Sequence, residues 1–251
     1  MPLRTDETLI RVEHVQKAFD KRIILEDISF SVHAGEVMAI IGTSGCGKST
    51  LLKIISGLIS HDKGSIELAD DNYSMVFQYS ALFDSLTVLE NVGFSLLEPP
   101  DNPRKGWRRH TLEEVRPIVE EKLRLVGLEG RADLYPNELS GGMQKRVSFA
   151  RAIVSDPRII LYDEPTAGLD PIASTVIEDY ILKLRDELGA ASVVVTHQFS
   201  TITRTADRVC LLHEGMIRWM GTPEELMHSD DPYARQFATA SLDGPMMQEK
   251  H

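Results

Sequence analysis

The chain has 251 residues, which is long enough to bury a full core in one or two domains. Its net charge of -11 argues against a nucleic-acid partner, because such binding needs broad neutralisation of phosphates. Two cysteines are too few for a disulfide framework, and no apolar run approaches the ~20 residues that a membrane span requires. If the protein works at a membrane, we expect a partner to supply the spans.

The first part of the chain predicts strands followed by a phosphate-binding loop. Residues 9–15 and 23–32 have the pattern of paired strands, and the apolar run 37–41 predicts a buried strand. Glycines in the next segment allow successive N–H groups to turn toward one anion at the start of a helix. This segment is a G-x-x-x-x-G-K-[ST] loop in its proper strand–loop–helix setting. The residues assigned to nucleotide binding are Gly42, Thr43, Ser44, Gly45, Cys46, Gly47, Lys48, Ser49 and Thr50.

Within this loop, Lys48 supplies a positive charge for the terminal phosphates, and the Ser49 hydroxyl is placed to bind Mg²⁺. Cys46 is interpreted as a spacer and not as a nucleophile. Phe19 is predicted in a polar turn between the first two strands, where it either stacks on a purine or anchors the turn on the core.

The middle of the chain predicts helices. Short strands at 65–68 and 74–77 lead to Gln78, and the helical pattern of 87–97 is broken by three prolines, Pro99, Pro100 and Pro103. The basic loop 104–110 is interpreted as solvated, with contact to anionic lipid headgroups as the alternative. Further helices are predicted at 112–126 and 141–154.

The last part returns to alternating strands and helices. Strands are predicted at 159–162, 192–196, 208–212 and 216–220, a helix ends at Gly189, and two short helices begin near 222 and 231. The whole pattern predicts an α/β fold with a helical subdomain inserted at about residues 79–157. The domain is expected to cover residues 1–237, followed by a polar tail at 238–251 with little to order it alone.

Two strands end in residues suited to phosphate chemistry. Asp163 follows an apolar strand and can hold Mg²⁺, whereas the adjacent Glu164 points the other way and is free to polarise a water molecule. His197 stands just after another core strand, so we expect it near Glu164 at the same sheet edge. It could bond the γ-phosphate or the attacking water, or simply be exposed.

A second glycine-rich helix start lies in the helical insert. The residues Ser140, Gly141, Gly142 and Gln144 surround it, almost a hundred residues after Gly42. One nucleotide rarely needs two such loops from one chain. A two-fold dimer, in which the loop of one copy caps the phosphate bound by the other, resolves this.

Taken in order, these motifs resemble those of the ATPase subunits of ABC transporters. The resemblance implies a P-loop NTPase (ABC ATPase) core with an antiparallel β subdomain and an inserted helical subdomain, using ATP and Mg²⁺. It implies adenine stacking by Phe19, and Mg²⁺ binding and sensing of the permease by Gln78. It further implies that Glu164 is the general base, His197 the switch histidine, and Asp170 a cross-dimer contact together with residues 140–144.

A finer resemblance is to the ATPases of the Mla (maintenance of lipid asymmetry) class of phospholipid transporters and their chloroplast relatives. It rests on residues 77–88, 163–172 and the tail segments 236–237 and 243–245. The connection from Ile66 to Phe77 is shorter than usual in the superfamily, and Ala240 replaces a usual glycine. The resemblance implies a membrane permease as partner, a second copy of the chain, and further lipid-binding and small regulatory subunits. It places the protein peripherally on the cytoplasmic face of the inner membrane.

Three functions compete. The first is an ATPase for phospholipid transport in outer-membrane lipid homeostasis, the second an ATPase of a polar amino-acid or ion importer, and the third a soluble ABC ATPase with no transport role. The apolar residues Tyr79, Leu82, Phe83 and Leu86 after Gln78 could form a groove for a permease helix, or could pack within the helical insert.

Overall fold

The computed structural model describes residues 6–98 and 108–247. Pro99, Pro100, Pro103, residues 104–107 of the basic loop and residues 248–251 of the tail lie outside these ranges. The strands are β1 Thr8–Phe19, β2 Arg22–His33, β3 Val37–Ile41, β4 Lys63–Leu68, β5 Tyr73–Val76, β6 Ile159–Asp163, β7 Ala191–Val195, β8 Arg208–His213 and β9 Met216–Gly221. The helices are α1 Lys48–Ile55, α2 Val88–Leu97, α3 Leu112–Leu125, α4 Gly141–Ile153, α5 Pro171–Leu188, α6 Phe199–Thr205, α7 Pro223–Met227 and α8 Pro232–Thr239.

The first three-stranded sheet is antiparallel, with strand order β2-β1-β4. Asp20 and Lys21 join β1 to β2 with φ angles of 48° and 68°, which suits a tight two-residue hairpin turn. Phe19 is therefore the last residue of β1, paired with Arg22, and does not lie in the turn itself as the sequence suggests. This difference places the Phe19 ring on a regular strand end.

The second sheet has six strands in the order β5-β6-β7-β3-β8-β9, and only β9 runs antiparallel to its neighbour. Strands β3, β6 and β7 are buried along their whole length, which explains their uninterrupted apolar sequences. Because these three strands are parallel, the segments that follow them begin at one sheet edge. The predicted α/β class is confirmed.

The helical subdomain contains α2, α3 and α4, as the sequence predicts. Thr87 caps α2 and Thr111 caps α3, each in a reciprocal capping box with the glutamate three residues later, Glu90 and Glu114. At Gly93, an added Cβ would lie 2.4 Å from Val115 Cγ1, so the lack of a side chain permits close packing of α2 on α3. The described residues include no helix that is both long and apolar enough to cross a bilayer.

The carboxyl-terminal part differs from the sequence prediction at two places. Helix α6 was not predicted, and helix α8 continues past the expected start of the tail at Ala238. Beyond α8 the chain folds back onto Gln236, whose side chain donates to Ser241 O at 3.1 Å and accepts from Met246 N at 2.8 Å. Met246 also packs against the core cluster beneath α8. We call residues 241–247 with Gln236 the carboxyl-terminal clasp.

Candidate functional site

The loop between β3 and α1 has the geometry of an anion cradle. Gly42, Gly45 and Gly47 adopt φ angles of 147°, 78° and 108°, which side-chain-bearing residues rarely adopt. The Lys48 ammonium folds back over the loop and donates to Gly42 O at 2.8 Å and Thr43 O at 3.0 Å. Because these carbonyls hold the ammonium at the loop, its charge is available to an anion bound there.

Asp163 and Ser49 meet beside this loop. Ser49 Oγ donates to Asp163 Oδ1 at 2.9 Å, and Asp163 is only 7% exposed. Burial raises the pKa of Asp163 above its usual value. The Ser49 hydrogen bond opposes this shift, and the charge of Glu164 adds to it. A hydroxyl and a buried carboxylate are oxygen ligands of the kind that Mg²⁺ accepts, and a cation would offset the cost of burying that charge.

Glu164 and His197 form a hydrogen-bonded pair, as expected from their strand-end positions. His197 Nδ1 lies 2.8 Å from Glu164 Oε1, and the carboxylate oxygen must be the acceptor when Glu164 is ionised. The other oxygen, Oε2, is buried and has no hydrogen-bond partner among the described residues. Glu164 itself has a φ of 48°, and its N–H donates to Val195 O on the neighbouring strand at 2.8 Å. A buried acceptor without a donor is costly, which marks Oε2 as a candidate functional atom.

These residues open on one cleft of about 700 Å³. Its walls contain most of the predicted nucleotide-binding residues, and they add two that the sequence analysis missed, Ile24 and Phe237. The lining residues are Phe19, Ile24, Gly42, Thr43, Ser44, Gly45, Gly47, Lys48, Ser49, Thr50, Gln78, Glu164, His197 and Phe237. The Phe19 side chain is 44% exposed, so it is available to stack on a base. Ile24 and Phe237 had no local motif that could have identified them.

Cys46 is not among the cleft residues. Its side chain packs in the core cluster of the antiparallel sheet and β3, and it is buried. Burial raises the pKa of its thiol, although the nearby Lys48 charge opposes the shift. The spacer interpretation of Cys46 agrees with this inward orientation.

A second groove, of about 520 Å³, contains three of the five predicted cross-dimer residues, Ser140, Gly142 and Asp170, whereas Gly141 and Gln144 are not in its lining. It is lined by Ser140, Gly142, Met143, Arg146, Gly168, Leu169, Asp170, Ile172, Ala173, Val176 and Ile177, none of which lines the first cleft. Ser140 caps α4, and Asp170 caps α5 through Oδ1. One chain therefore presents its predicted nucleotide-contacting residues on two separate surfaces.

Gln144 is not among the residues that line the second groove. Its amide nitrogen donates to Pro136 O at 2.9 Å and to Leu139 O at 3.4 Å, which turns the side chain into its own subdomain. Met143 lines the groove beside Gly142. The cross-dimer contact of Gln144 stays a prediction.

The model of the family described as "ABC transporter" matches residues 25–167, more than half of the chain. The chain belongs to this family. It is accordingly an ATP-binding cassette, the ATP-hydrolysing subunit type of these transporters. The predictions of the fold class and of ATPase activity are confirmed.

Three curated relatives illustrate the range of similarity. The chain is 44% identical over 270 residues to the protein TRIGALACTOSYLDIACYLGLYCEROL 3, chloroplastic, of Arabidopsis thaliana, covering 96% of this chain and 76% of the relative. It is 39% identical to the sulfate/thiosulfate import ATP-binding protein cysA of Cucumis sativus, covering 86% of this chain and 63% of that relative. It is 36% identical to the probable ribonucleotide transport ATP-binding protein mkl of Mycobacterium leprae, with 96% and 72% covered.

Solved structures agree with the fold. A nucleotide-free ATP-binding cassette from an ABC transporter matches with a TM-score of 0.80 at 27% identity, covering 92% of this chain and 98% of that one. The ATP-binding cassette MJ0796, described as a dimeric post-hydrolysis state bound to ADP and Pi, matches with a TM-score of 0.73 at 31% identity, covering 85% and 98%.

Proposed function

We propose that this chain energises a membrane phospholipid transporter by hydrolysing ATP between two copies of itself. The observation that carries the lipid assignment is the 44% identity, over 96% of this chain, to a chloroplast protein named after the glycolipid trigalactosyldiacylglycerol. The similarity of residues 77–88 and 163–172 to Mla-type ATPases supports the same substrate class. The proposed membrane is the inner one, with the chain on its cytoplasmic face.

In the proposed site, Lys48 and the loop N–H groups bind the phosphates, and Phe19 stacks on adenine. The ligands proposed for Mg²⁺ are Ser49 and Gln78, with Asp163 acting directly or through water. Ser49 and Asp163 already lie 2.9 Å apart, and Gln78 lines the same cleft. The ion supplies charge neutralisation of the phosphates when it is bound.

For hydrolysis, Glu164 Oε2 accepts a proton from a water molecule as the water oxygen attacks the γ-phosphorus and the bond to the β-phosphate oxygen breaks. ADP and inorganic phosphate are the products. His197 holds the other carboxylate oxygen through Nδ1, which leaves Oε2 as the oxygen without a partner among the described residues. The exposed imidazole also lines the cleft, and the role proposed for it is contact with the γ-phosphate as the switch histidine.

The second groove completes the site in a dimer. Ser140 and Asp170 lie on one surface, and the backbone N–H groups at the start of α4 point out of it. In a head-to-tail pair, the groove of each copy would face the cleft of the other. MJ0796, which matches 85% of this chain, is described as a dimer, and this supports the arrangement.

The proposed contact with the permease is the segment after Gln78. Tyr79 is 80% exposed, and the Phe83 ring packs against Phe94 with centroids 4.8 Å apart and a tilt of 32° while remaining partly exposed. Leu82 instead packs against the helical core. Tyr79 and Phe83 thus present an apolar surface suited to a membrane-protein helix, and Leu82 connects this segment to the helical core.

The test is a pull-down of the tagged chain from membranes in mild detergent, followed by mass spectrometry of co-purified proteins and lipids. We expect a helical permease, a lipid-binding subunit and enriched phospholipid. A polar-solute permease with no enriched phospholipid would remove the lipid assignment and leave the ATPase assignment standing.

The relatives named for sulfate and thiosulfate import support a second candidate, an importer of a small anion. The two candidates share the ATPase chemistry and differ in the membrane partner, so the same pull-down separates them. Sulfate-binding protein among the partners would decide for the importer.

A further inference from the structure

A buried chain of hydrogen bonds lies behind the Glu164–His197 pair. The side-chain oxygens of Thr166 and Thr201 are 3.1 Å apart, and Thr201 Oγ1 donates to Glu178 Oε1 at 2.8 Å. Both threonines are fully buried, and Glu178 is 2% exposed. None of the three lines the nucleotide cleft, so their polar groups have no part in direct contact with the nucleotide.

The donor and acceptor in each of these hydrogen bonds follow from the chemistry of the hydroxyl and carboxylate groups. An ionised carboxylate can only accept, so the single hydroxyl proton of Thr201 is used on Glu178. Thr166 must then donate to Thr201. The order Thr166 to Thr201 to Glu178 is the arrangement in which every hydroxyl proton is bonded.

The buried charge of Glu178 has a counter-ion. Arg204 Nε lies 3.5 Å from Glu178 Oε2, and Arg204 NH2 donates to Asp179 Oδ1 at 2.6 Å. The hydrogen bond that Arg204 donates to Asp179, together with the charges of Asp179 and Glu178, raises the pKa of Arg204 above its usual value. Oε1 of Glu178 accepts a hydrogen bond from Thr201, and Oε2 lies beside the Arg204 guanidinium. These two contacts offset the cost of burying the carboxylate charge.

The hydrogen-bond chain joins the two segments that hold the active-site pair. Thr166 comes two residues after Glu164, and Thr201 lies in α6, which begins two residues after His197. A second link runs between the same segments, because Gln198 Nε2 donates to Thr166 O at 3.3 Å. Each link is separated from the Glu164–His197 hydrogen bond by only one to four residues of backbone.

Helix α6 is a short element whose position depends on tertiary contacts. It has seven residues and no side-chain cap at its amino end, so its intrinsic stability is low. Its main packing partner is α5, the helix that contains Glu178. Contacts from α5 therefore contribute to the position of the start of α6 and of His197 relative to Glu164, together with the packing of Ile202 in the core cluster of β3 and β8.

We infer that Glu178, Thr201 and Thr166 form a positioning unit that sets the Glu164–His197 geometry for hydrolysis. The inference rests on the proposed roles of Glu164 and His197. Loss of the unit would displace the pair without removing any group that binds ATP. Small displacements of reacting groups reduce turnover strongly, by up to about 100-fold for ~1 Å.

The test compares Thr201→Val with Thr201→Ser in the full chain. Valine keeps the shape and removes the hydroxyl, whereas serine keeps the hydroxyl. We expect Thr201→Val to lower kcat about tenfold with KM for ATP within about twofold, and Thr201→Ser to restore most of the turnover. The matched control is Thr203→Val, on the same helix, because the Thr203 hydroxyl bonds only to carbonyls of α6 itself.

Amide hydrogen exchange provides a readout that does not depend on turnover. In Thr201→Val, peptides covering 164–170 and 196–201 should exchange faster than in the Ser variant and the Thr203→Val control. Unchanged kcat in Thr201→Val, or a fall in kcat matched by an equal rise in KM, would overturn the inference. So would exchange rates equal to those of the control.

Glu164→Gln separates failure of this inference from failure of the proposed function. If Glu164→Gln retains wild-type turnover, the general-base assignment is wrong, and the positioning inference falls with it. If Glu164→Gln abolishes turnover while Thr201→Val behaves as wild type, the proposed function stands and only the positioning unit is wrong.

Discussion

His197 Nδ1 lies 2.8 Å from Glu164 Oε1, and the second carboxylate oxygen of Glu164 is buried without a hydrogen-bond partner among residues 6–98 and 108–247. The imidazole thus occupies one carboxylate oxygen and leaves the other for the proton-accepting role proposed for Glu164. This pairing joins two residues 33 positions apart in the sequence.

Replacing Glu164 with glutamine should keep ATP binding and remove most hydrolysis, because an amide cannot take the proton of the attacking water. We expect kcat to fall about 10²–10⁴-fold. Steady-state phosphate release with a permease present, together with nucleotide affinity by fluorescence titration, checks this. Turnover near the wild-type rate would show that another group is the base.

Lys48→Ala should weaken ATP binding itself, since it removes the ammonium held at the phosphate loop. We expect an increase in Kd of about 10- to 100-fold, the range for loss of a charge-assisted hydrogen bond. Lys53→Ala, a cation in the last turn of the same helix, is the control and should bind ATP nearly as the wild type does. If Lys53→Ala weakened ATP binding as much as Lys48→Ala, the effect would reflect the net positive charge near the site and not a specific contact of Lys48 with the phosphates.

Dimerisation should depend on ATP. Glu164→Gln should sediment as a dimer with ATP and mostly as a monomer without it, and Ser140→Arg added to this variant should prevent the dimer by filling the second groove. Ser65→Arg, on the exposed face of β4, is the control and should leave association intact. A sedimentation coefficient that is the same with and without ATP would contradict the shared-site arrangement.

Asp substitutions at Tyr79 and Phe83 should uncouple the chain from its membrane partner and leave ATP affinity unchanged. The expected result is at least a tenfold loss of permease in the pull-down, because a charge would be buried in an apolar contact. Leu58→Asp is the control, since Leu58 is an exposed apolar residue at the end of α1 and outside the segment. If Tyr79→Asp and Phe83→Asp both retain the permease, the contact lies elsewhere on the chain.

Both thiols should react slowly with alkylating reagents in the folded chain. Burial raises the pKa of Cys210 to about 12 and also raises that of Cys46, so little thiolate exists at neutral pH. Because only the thiolate reacts, the labelling rate should increase about tenfold per pH unit below the thiol pKa. Mass spectrometry after iodoacetamide treatment measures this, with the urea-unfolded chain as reference. Rapid labelling of folded Cys210 at pH 7 would contradict the structure.

Much of the fold could be predicted because the decisive signals were local. Strand β3, the glycine-rich loop and helix α1 lie within 20 residues of one another, so the sequence of this segment alone predicts all three. Parallel strands end at the same edge of a sheet, so the sequence predicts that Glu164 and His197, which follow two such strands, lie near each other. The structure brings them into hydrogen-bond contact.

The missed features depend on contacts distant in the sequence. Helix α6 has β-branched threonines and an isoleucine that do not favour a helix, and its packing on α5 overrides that preference. Gln144 is turned inward by the carbonyl of Pro136, and Phe237 reaches the cleft from a helix near the carboxyl end. Such orientations follow from tertiary packing, which single-sequence patterns do not contain.

The carboxyl-terminal clasp matters for how the protein is handled. Gln236, which the clasp holds, is adjacent to Phe237 in the wall of the nucleotide cleft. Bulk attached within residues 241–247 would therefore act on the wall of the nucleotide cleft through Gln236. Nucleotide affinities should be measured on protein in which these residues carry no label.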